Sequence, residues 1–162
     1  MKNLEKLTRY ILLKYPNLVE LSKPRLVKLI YLIDWKYAIE NGVQYTDIDW
    51  IYNHYGPYVN DVINLMKEKR EIFNVNSYRN SYGTITDKFS LKNDAEIELQ
   101  DDVKSIADKF INYTHSMPWT EFINTVYSSY PMKESIKYSH LDLVKFAQVF
   151  NSLTRRNTEV VK

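Results

Sequence analysis

Apolar residues in the first part of the chain recur every three or four positions, the spacing that places side chains on one face of an α-helix. Leu4, Leu7 and Ile11 form the first such stripe. Proline lacks the amide hydrogen that a helix interior requires, so Pro16 predicts that the first helix ends near Tyr15.

A second helix is predicted between Ser22 and Gly42. The Ser22 hydroxyl can cap a free N–H group at a helix start, and Pro24 fits the first turn. Asn41 and Gly42 both tolerate the left-handed conformation that ends many helices. The predicted apolar stripe of this helix consists of Leu26, Leu29, Ile30, Ile33 and Tyr37.

The middle of the chain mixes helical and extended patterns. Residues 46–55 fit either a short capped helix or a strand, because a possible capping sequence overlaps with alternating apolar positions. A third helical stripe follows Gly56 and Pro57 and ends in the basic run 67–70. Residues 72–91 contain two β-type runs around a polar turn, which predicts a hairpin; two strands alone are marginally stable, so it must pack on the helices.

The C-terminal half returns to helical spacing. One stripe runs from Leu99 to Phe110, and residues 116–118 begin a further helix that Pro131 is predicted to end. Ser139 and Asp142 resemble a capping box, with Asp in the usual place of Glu, in front of a last helix.

The predicted fold is therefore mainly α, a single compact domain of about six helices with a small β-hairpin packed on it. We place the domain at residues 1–153 and expect residues 154–162 to form a frayed C-terminal tail.

The composition indicates a folded chain and excludes several kinds of site. Apolar residues make up 44% and charged residues 26% of the 162 positions, and the net charge is 22 − 20 = +2. The absence of cysteine excludes disulfides, thiolate catalysis and Cys-ligated metals, and three glycines are too few for a P-loop or dinucleotide-binding loop. No apolar run approaches the roughly 18 residues of a membrane span, so we expect a cytoplasmic protein without a membrane partner.

No local pattern predicts catalysis, a metal or a cofactor. His54, His115 and His140 are far apart in the sequence and lack the spacing of metal ligands. Asp47 and Asp49 form a D-x-D pair, but without a phosphate-binding loop they are more typical of a solvated loop or helix cap. A hydrolase would need a cluster of residues that are distant in the sequence, and it is the last alternative that we consider.

Asp34 is unusual because it lies inside the apolar second helix. A buried carboxylate needs a partner, which could be Lys, Arg, Tyr or a helix N-terminus within the fold; alternatively, Asp34 could anchor a binding partner. Aromatic residues concentrate near this helix and near Gly56. They fit either core packing or the aromatic anchors of a protein interface.

One set of residues resembles a known family. Its members are Lys28-Leu29-Ile30-Tyr31-Leu32-Ile33-Asp34-Trp35, Gly42, Thr46, His54-Tyr55-Gly56-Pro57-Tyr58-Val59 and Val62. In order and spacing this set resembles the Panacea domain of SocA-like antitoxins, over roughly residues 5–130. Tyr58 departs from the family pattern, which usually has a small or β-branched residue after Gly-Pro.

The resemblance implies a mostly helical, non-enzymatic antitoxin that neutralises a protein toxin encoded nearby, in bacteria, prophages or phages. It also implies an alternative role, as an adaptor that delivers the toxin to a ClpXP-type protease; the tail around Arg155 and Arg156 could supply the second contact surface. A nucleic-acid-binding regulator is the other alternative, although basic residues are scattered and the chain has no added DNA-binding module.

Under this hypothesis, two groups of residues form the site. The candidate partner anchors are Tyr31, Trp35, Tyr52, Tyr55 and Tyr58. Gly56 and Pro57 are assigned to the turn geometry that holds this surface, and Asp34 and His54 to its polar network. Lys28, Gly42 and Val59 complete the family motif.

Overall fold

The computed structural model describes residues 2–160, and the side chains of residues 2–158. The elements in chain order are α1 (Lys2–Lys14), α2 (Lys23–Asn41), β1 (Ile51–Asn53), β2 (Gly56–Tyr58), α3 (Asp61–Glu68), β3 (Phe73–Arg79), β4 (Ile85–Leu91), α4 (Asp101–Thr114), α5 (Trp119–Tyr127), α6 (Tyr130–Glu134) and α7 (Leu143–Val160). The described chain is thus mainly α with two small antiparallel hairpins, which confirms the predicted fold class and adds a second hairpin.

Helix α2 is the centre of the fold. Every residue from Arg25 to Trp35 is buried, because α4, α7, β2 and β4 all pack around this helix. The predicted apolar stripe is therefore only part of its buried surface; a helix that is apolar on most sides is buried on all of them. Both predicted ends are confirmed: the Ser22 hydroxyl accepts from the Arg25 N–H at 3.3 Å, and Gly42 has φ +71°.

Arg25 ties the start of α2 to the end of α4. Its guanidinium donates to the Thr114 carbonyl at 3.0 Å and to the Met117 carbonyl at 2.8 Å. It also lies 4.6 Å from the centre of the Phe122 ring. The last carbonyls of a helix have no partner within it and form its negative pole, so a buried cation there is well compensated.

The β3–β4 hairpin forms as predicted. Phe73 pairs with Leu91 and Arg79 with Ile85, which leaves residues 80–84 as the turn. Phe73 and Phe89 are buried, since β3 packs against α3 and β4 packs against α1 and α2. This packing supplies the support that an isolated hairpin lacks.

The β1–β2 hairpin settles the ambiguous segment in favour of a strand. Its loop consists of His54 and Tyr55, and residues 46–49 form no helix. The outer edge of β1 is bound by residues 138–141: the Tyr52 N–H donates to Ser139, the Tyr138 N–H to Tyr52, and the Leu141 N–H to Trp50. A distant segment therefore fixes this hairpin.

Three C-terminal details differ from the predictions. Helix α5 ends at Tyr127, and Pro131 lies in the first turn of α6, where a missing amide hydrogen is harmless. Asp142 caps α7 alone, by accepting from the Lys145 N–H at 3.0 Å, while the Ser139 hydroxyl donates to the Ile136 carbonyl.

The last helix extends into the segment for which we expected a frayed tail. Helix α7 continues to Val160, and the hydroxyls of Thr154 and Thr158 each donate to the carbonyl four residues earlier, as they do in a regular helix. Residues 161–162 of the predicted tail lie outside the described residues.

Candidate functional site

Asp34 fixes the segment that leads into the β1–β2 hairpin. Its buried carboxylate accepts from the Thr46 N–H at 2.9 Å, the Thr46 hydroxyl at 2.5 Å and the Trp50 indole N–H at 2.9 Å. Burial raises the pKa of Asp34 to about 6, and these hydrogen bonds oppose the rise. Asp34 is therefore partnered within the fold, by Thr and Trp instead of the Lys, Arg, Tyr or helix N-terminus that we anticipated.

Tyr31 and Trp35 belong to the core. Tyr31 is 0% exposed, packs its ring edge to face on Trp50 at 5.5 Å between centres, and hydrogen-bonds through its hydroxyl to Ser129. Trp35 is buried against Phe150. This corrects the expectation that these two side chains face a partner, because α2 is enclosed on all sides.

The loop of the β1–β2 hairpin presents an aromatic cluster to solvent. Tyr55 is 75% exposed and packs against the His54 ring, with 4.5 Å between ring centres. His54 Nδ1 lies 3.2 Å from the Tyr138 hydroxyl, and Tyr138 is 67% exposed. We call His54, Tyr55 and Tyr138 the tip patch.

We assigned His54 and Asp34 to one polar network, but among the described residues His54 makes no hydrogen bond to Asp34. The imidazole is exposed at the end of the hairpin, whereas the Asp34 partners lie in the segment before β1.

Tyr138 has an unusual backbone conformation. Its φ is +69°, and it is the one non-glycine residue with positive φ in the part of the chain that the structure describes. A bulky residue is strained in this region, and such strain of about 1 to 3 kcal/mol concentrates at functional sites.

Tyr52 and Gly56 line the inner side of the hairpin. The Tyr52 ring packs edge to face on Tyr127, with 6.2 Å between ring centres. Gly56 has φ +97°, and a Cβ there would lie 3.5 Å from the Tyr127 hydroxyl and 3.6 Å from Lys28 Cε. This positive φ favours glycine, as expected for the turn, and the side chains of Lys28 and Tyr127 both approach the point that a Cβ would occupy.

Tyr58 lies at the opposite end of the hairpin from the tip patch. It pairs with Ile51 in the sheet register, and Lys23 Nζ lies 5.6 Å from the centre of its half-buried ring. The neighbouring Pro57 and Val59 are buried and hold β2 on the core. The predicted aromatic anchors therefore do not form one surface.

The described residues offer little for a metal or a large ligand. They contain no group of three or more His, Asp or Glu side chains that could hold a metal ion. A partly open apolar pocket lies between α2 and α4, beside Phe110 and Tyr113, and the tip patch does not line it. Within residues 2–160, no helix combines the length and apolar character needed to cross a bilayer.

Sequence reasoning missed Tyr127 and Tyr138. Tyr138 contacts His54 across 84 positions of sequence, through pairing of residues 138–141 with β1 that no local pattern indicates. The one available signal for Tyr138 is an aromatic residue in a short polar segment.

A comparison with models of known protein families shows to which family the chain belongs. The family model described as antitoxin SocA-like, Panacea domain, matches residues 26–131. The chain belongs to this family. The matched region of the Panacea domain includes most of α2 and the β1–β2 hairpin, whereas Tyr138 and α7 follow it. The family indicates an antitoxin-type, non-enzymatic role and, in general, a toxin as partner. No match was found among curated proteins or solved structures.

Proposed function

We propose that this Panacea-domain protein neutralises a cytoplasmic protein toxin by binding it directly through the tip patch. The main support is the exposed pair of Tyr55, in the hairpin loop, and Tyr138, in the segment beside β1. Tyrosine is enriched at the energetic centres of protein interfaces, because it buries a large rigid ring with few rotatable bonds.

The segments that carry the tip patch are held in place by the rest of the fold, so binding should cost little conformational entropy. Asp34 ties residues 46–50 to α2, and residues 138–141 bind the outer edge of β1. A surface that is already ordered loses less conformational freedom when a partner docks.

The tip patch would form the centre of a larger contact. A stable complex buries about 800 Å² on each partner, which exceeds what three side chains supply. Ile136, which is 79% exposed two positions before Tyr138, would extend the apolar part of the contact. The proposed interface therefore combines the β1–β2 hairpin with residues 136–138.

Growth assays test this proposal. The open reading frame beside this gene is expressed alone and together with the chain; arrest relieved only by co-expression would support an antitoxin. Relief that persists in cells lacking ClpXP would favour direct binding over protease delivery. Tyr55→Ala should lose neutralisation, whereas Tyr82→Ala, which alters a tyrosine that is 92% exposed on the other hairpin, should retain it.

A protease adaptor is the second candidate, because the end of α7 offers a separate surface. Residues 152–158 are all exposed, and they include Leu153, Arg155 and Arg156. A chain ending after Leu153 should neutralise normally if binding suffices. Loss of neutralisation and of toxin turnover in that truncation would favour the adaptor.

A further inference from the structure

The outer edge of β3 has no neighbouring strand, because the β3–β4 sheet consists of two strands. At one end of its ladder the Lys92 N–H donates to the Ile72 carbonyl at 2.9 Å. At the other end the Asn80 N–H donates to the Thr84 carbonyl, also at 2.9 Å. Opposite residues of an antiparallel pair alternate between hydrogen-bonded and non-hydrogen-bonded positions. The even-numbered residues of β3 therefore bond to β4, and the odd-numbered ones direct their backbone N–H and C=O groups outward.

The free backbone groups of this edge belong to Val75, Ser77 and Arg79. Phe73 also faces outward, but its N–H donates to the Lys69 carbonyl at 3.0 Å. Among the described residues, no other backbone group bonds to the amides or carbonyls of the three free positions. Free groups at every second residue are the arrangement with which an added strand pairs.

A groove with three cationic side chains follows the same strand. It is lined by the first five residues of β3 together with Lys67, Arg70 and Lys92. These three cations are exposed, and none forms a salt bridge with another described residue. The adjacent Glu68 and Glu71 do not line the groove. The groove therefore offers positive charge beside the free backbone edge.

We infer that an extended acidic segment of a partner protein adds to β3 as a third strand. Its backbone pairs with the free groups of β3, and its Asp or Glu carboxylates meet the three cations. In this mode main-chain hydrogen bonds supply affinity, and the side chains beside the edge supply specificity. The inference goes beyond the proposed function, because no residue of the tip patch lines this groove.

Two other occupants satisfy the edge less well. A second copy of this chain could pair its own β3 with this one, but the same cations would then lie on both sides of the contact, and like charges oppose pairing. A nucleic-acid backbone could meet the cations, but its phosphate oxygens only accept hydrogen bonds and leave the outward carbonyls of β3 without donors. A peptide strand both donates and accepts.

Fluorescence anisotropy with a labelled synthetic peptide tests this inference. The probe is as long as β3 and alternates Glu with Val, so that its carboxylates lie on one face of the strand and its apolar side chains on the other. It should bind the unaltered chain, and a peptide with Lys in place of Glu should bind at least about tenfold more weakly.

A proline in β3 tests the backbone pairing. Ser77→Pro removes one outward N–H and no bond to β4, and proline is tolerated on an edge strand at such a position. It should weaken binding of the acidic peptide at least about tenfold. Ser77→Ala is the matched control, because it also loses the hydroxyl that donates to Asp87 at 2.6 Å but keeps the amide. It should change the affinity less than about threefold.

Charge variants test the groove without altering the backbone. Lys67→Gln combined with Lys92→Gln should weaken binding of the acidic peptide at least about fivefold, because two exposed cations beside β3 are lost. Lys104→Gln combined with Lys133→Gln removes two equally exposed charges on α4 and α6. This control should change the affinity less than about twofold.

Three results would overturn the inference. The first is an acidic peptide that does not bind, or that binds Ser77→Pro as tightly as the unaltered chain. The second is a single-stranded oligonucleotide that binds more tightly than the peptide and displaces it, which would make the groove a nucleic-acid site. The third is an unaltered chain that forms a dimer in analytical ultracentrifugation and a Ser77→Pro variant that is monomeric, which would assign the edge to a second copy.

Discussion

The Trp50 indole donates to the Asp34 carboxylate at 2.9 Å, and it thereby joins the central helix to the residue that precedes the exposed hairpin. The Trp50 carbonyl also accepts from the Leu141 N–H at 2.8 Å. One buried residue thus connects α2 with both chain segments that form the tip patch. The position of that patch depends on a hydrogen-bond network in the core.

The same substitution should have different effects on stability at two buried threonines. Thr46→Val removes a hydroxyl that donates to ionised Asp34, and it should lower the free energy of unfolding by about 1.5 to 3 kcal/mol. The Thr8 hydroxyl is buried and has no hydrogen-bond partner among the described residues, so Thr8→Val should be neutral or stabilising. Urea denaturation at pH 7 measures both; an equal loss in the two variants would contradict the proposed role of Thr46.

Stability should depend on pH through Lys28. Its pKa is lowered from 10.5 to about 8, so between these values the unfolded chain binds more protons than the folded chain. The contribution of Lys28 is thus unfavourable below pH 8, and it disappears as the pH rises toward 10.5.

Comparison with Lys28→Met isolates this contribution, because the titrating tyrosines are common to both proteins. Relative to that variant, the unaltered chain should gain about 2 to 3 kcal/mol of unfolding free energy between pH 7 and pH 10. Parallel stability curves for the two proteins would show that Lys28 carries no such penalty.

Tyr138→Asn should separate stability from binding. Asparagine tolerates positive φ better than tyrosine, so the free energy of unfolding should stay equal or rise by up to about 1 kcal/mol. The same change removes an exposed ring from the tip patch and should weaken toxin binding at least about tenfold. Tyr82→Asn, at an exposed turn with no role in the patch, should alter neither quantity. If Tyr138→Asn is less stable and still binds the toxin with unchanged affinity, then the Tyr138 backbone is not strained and its ring is not part of the interface.

Most of the fold could be predicted because prolines, glycines and helix caps act on residues that are close in the sequence. Pro16, Ser22 and Gly42 mark the helix ends where caps and backbone restrictions place them. The β1–β2 hairpin was ambiguous because its strands have three residues each and depend on pairing with residues 138–141. Pro131 was misassigned because a proline can begin one helix as readily as it ends another.

The candidate site was harder to predict than the fold. An aromatic residue in an apolar stretch has the same pattern whether it faces the core or solvent, so Tyr31 and Tyr55 were not distinguished. Their exposure depends on how many elements surround α2, which is a property of tertiary packing. Tyr127 and Tyr138 reach the hairpin through contacts between residues distant in sequence.

The most direct measurement is calorimetric titration of the purified toxin into the unaltered chain, Tyr55→Ala and Tyr82→Ala. The unaltered chain and Tyr82→Ala should bind alike, while Tyr55→Ala should lose at least about 2 kcal/mol of binding free energy with its melting temperature nearly unchanged. Equal affinity in all three proteins would contradict direct neutralisation through the tip patch.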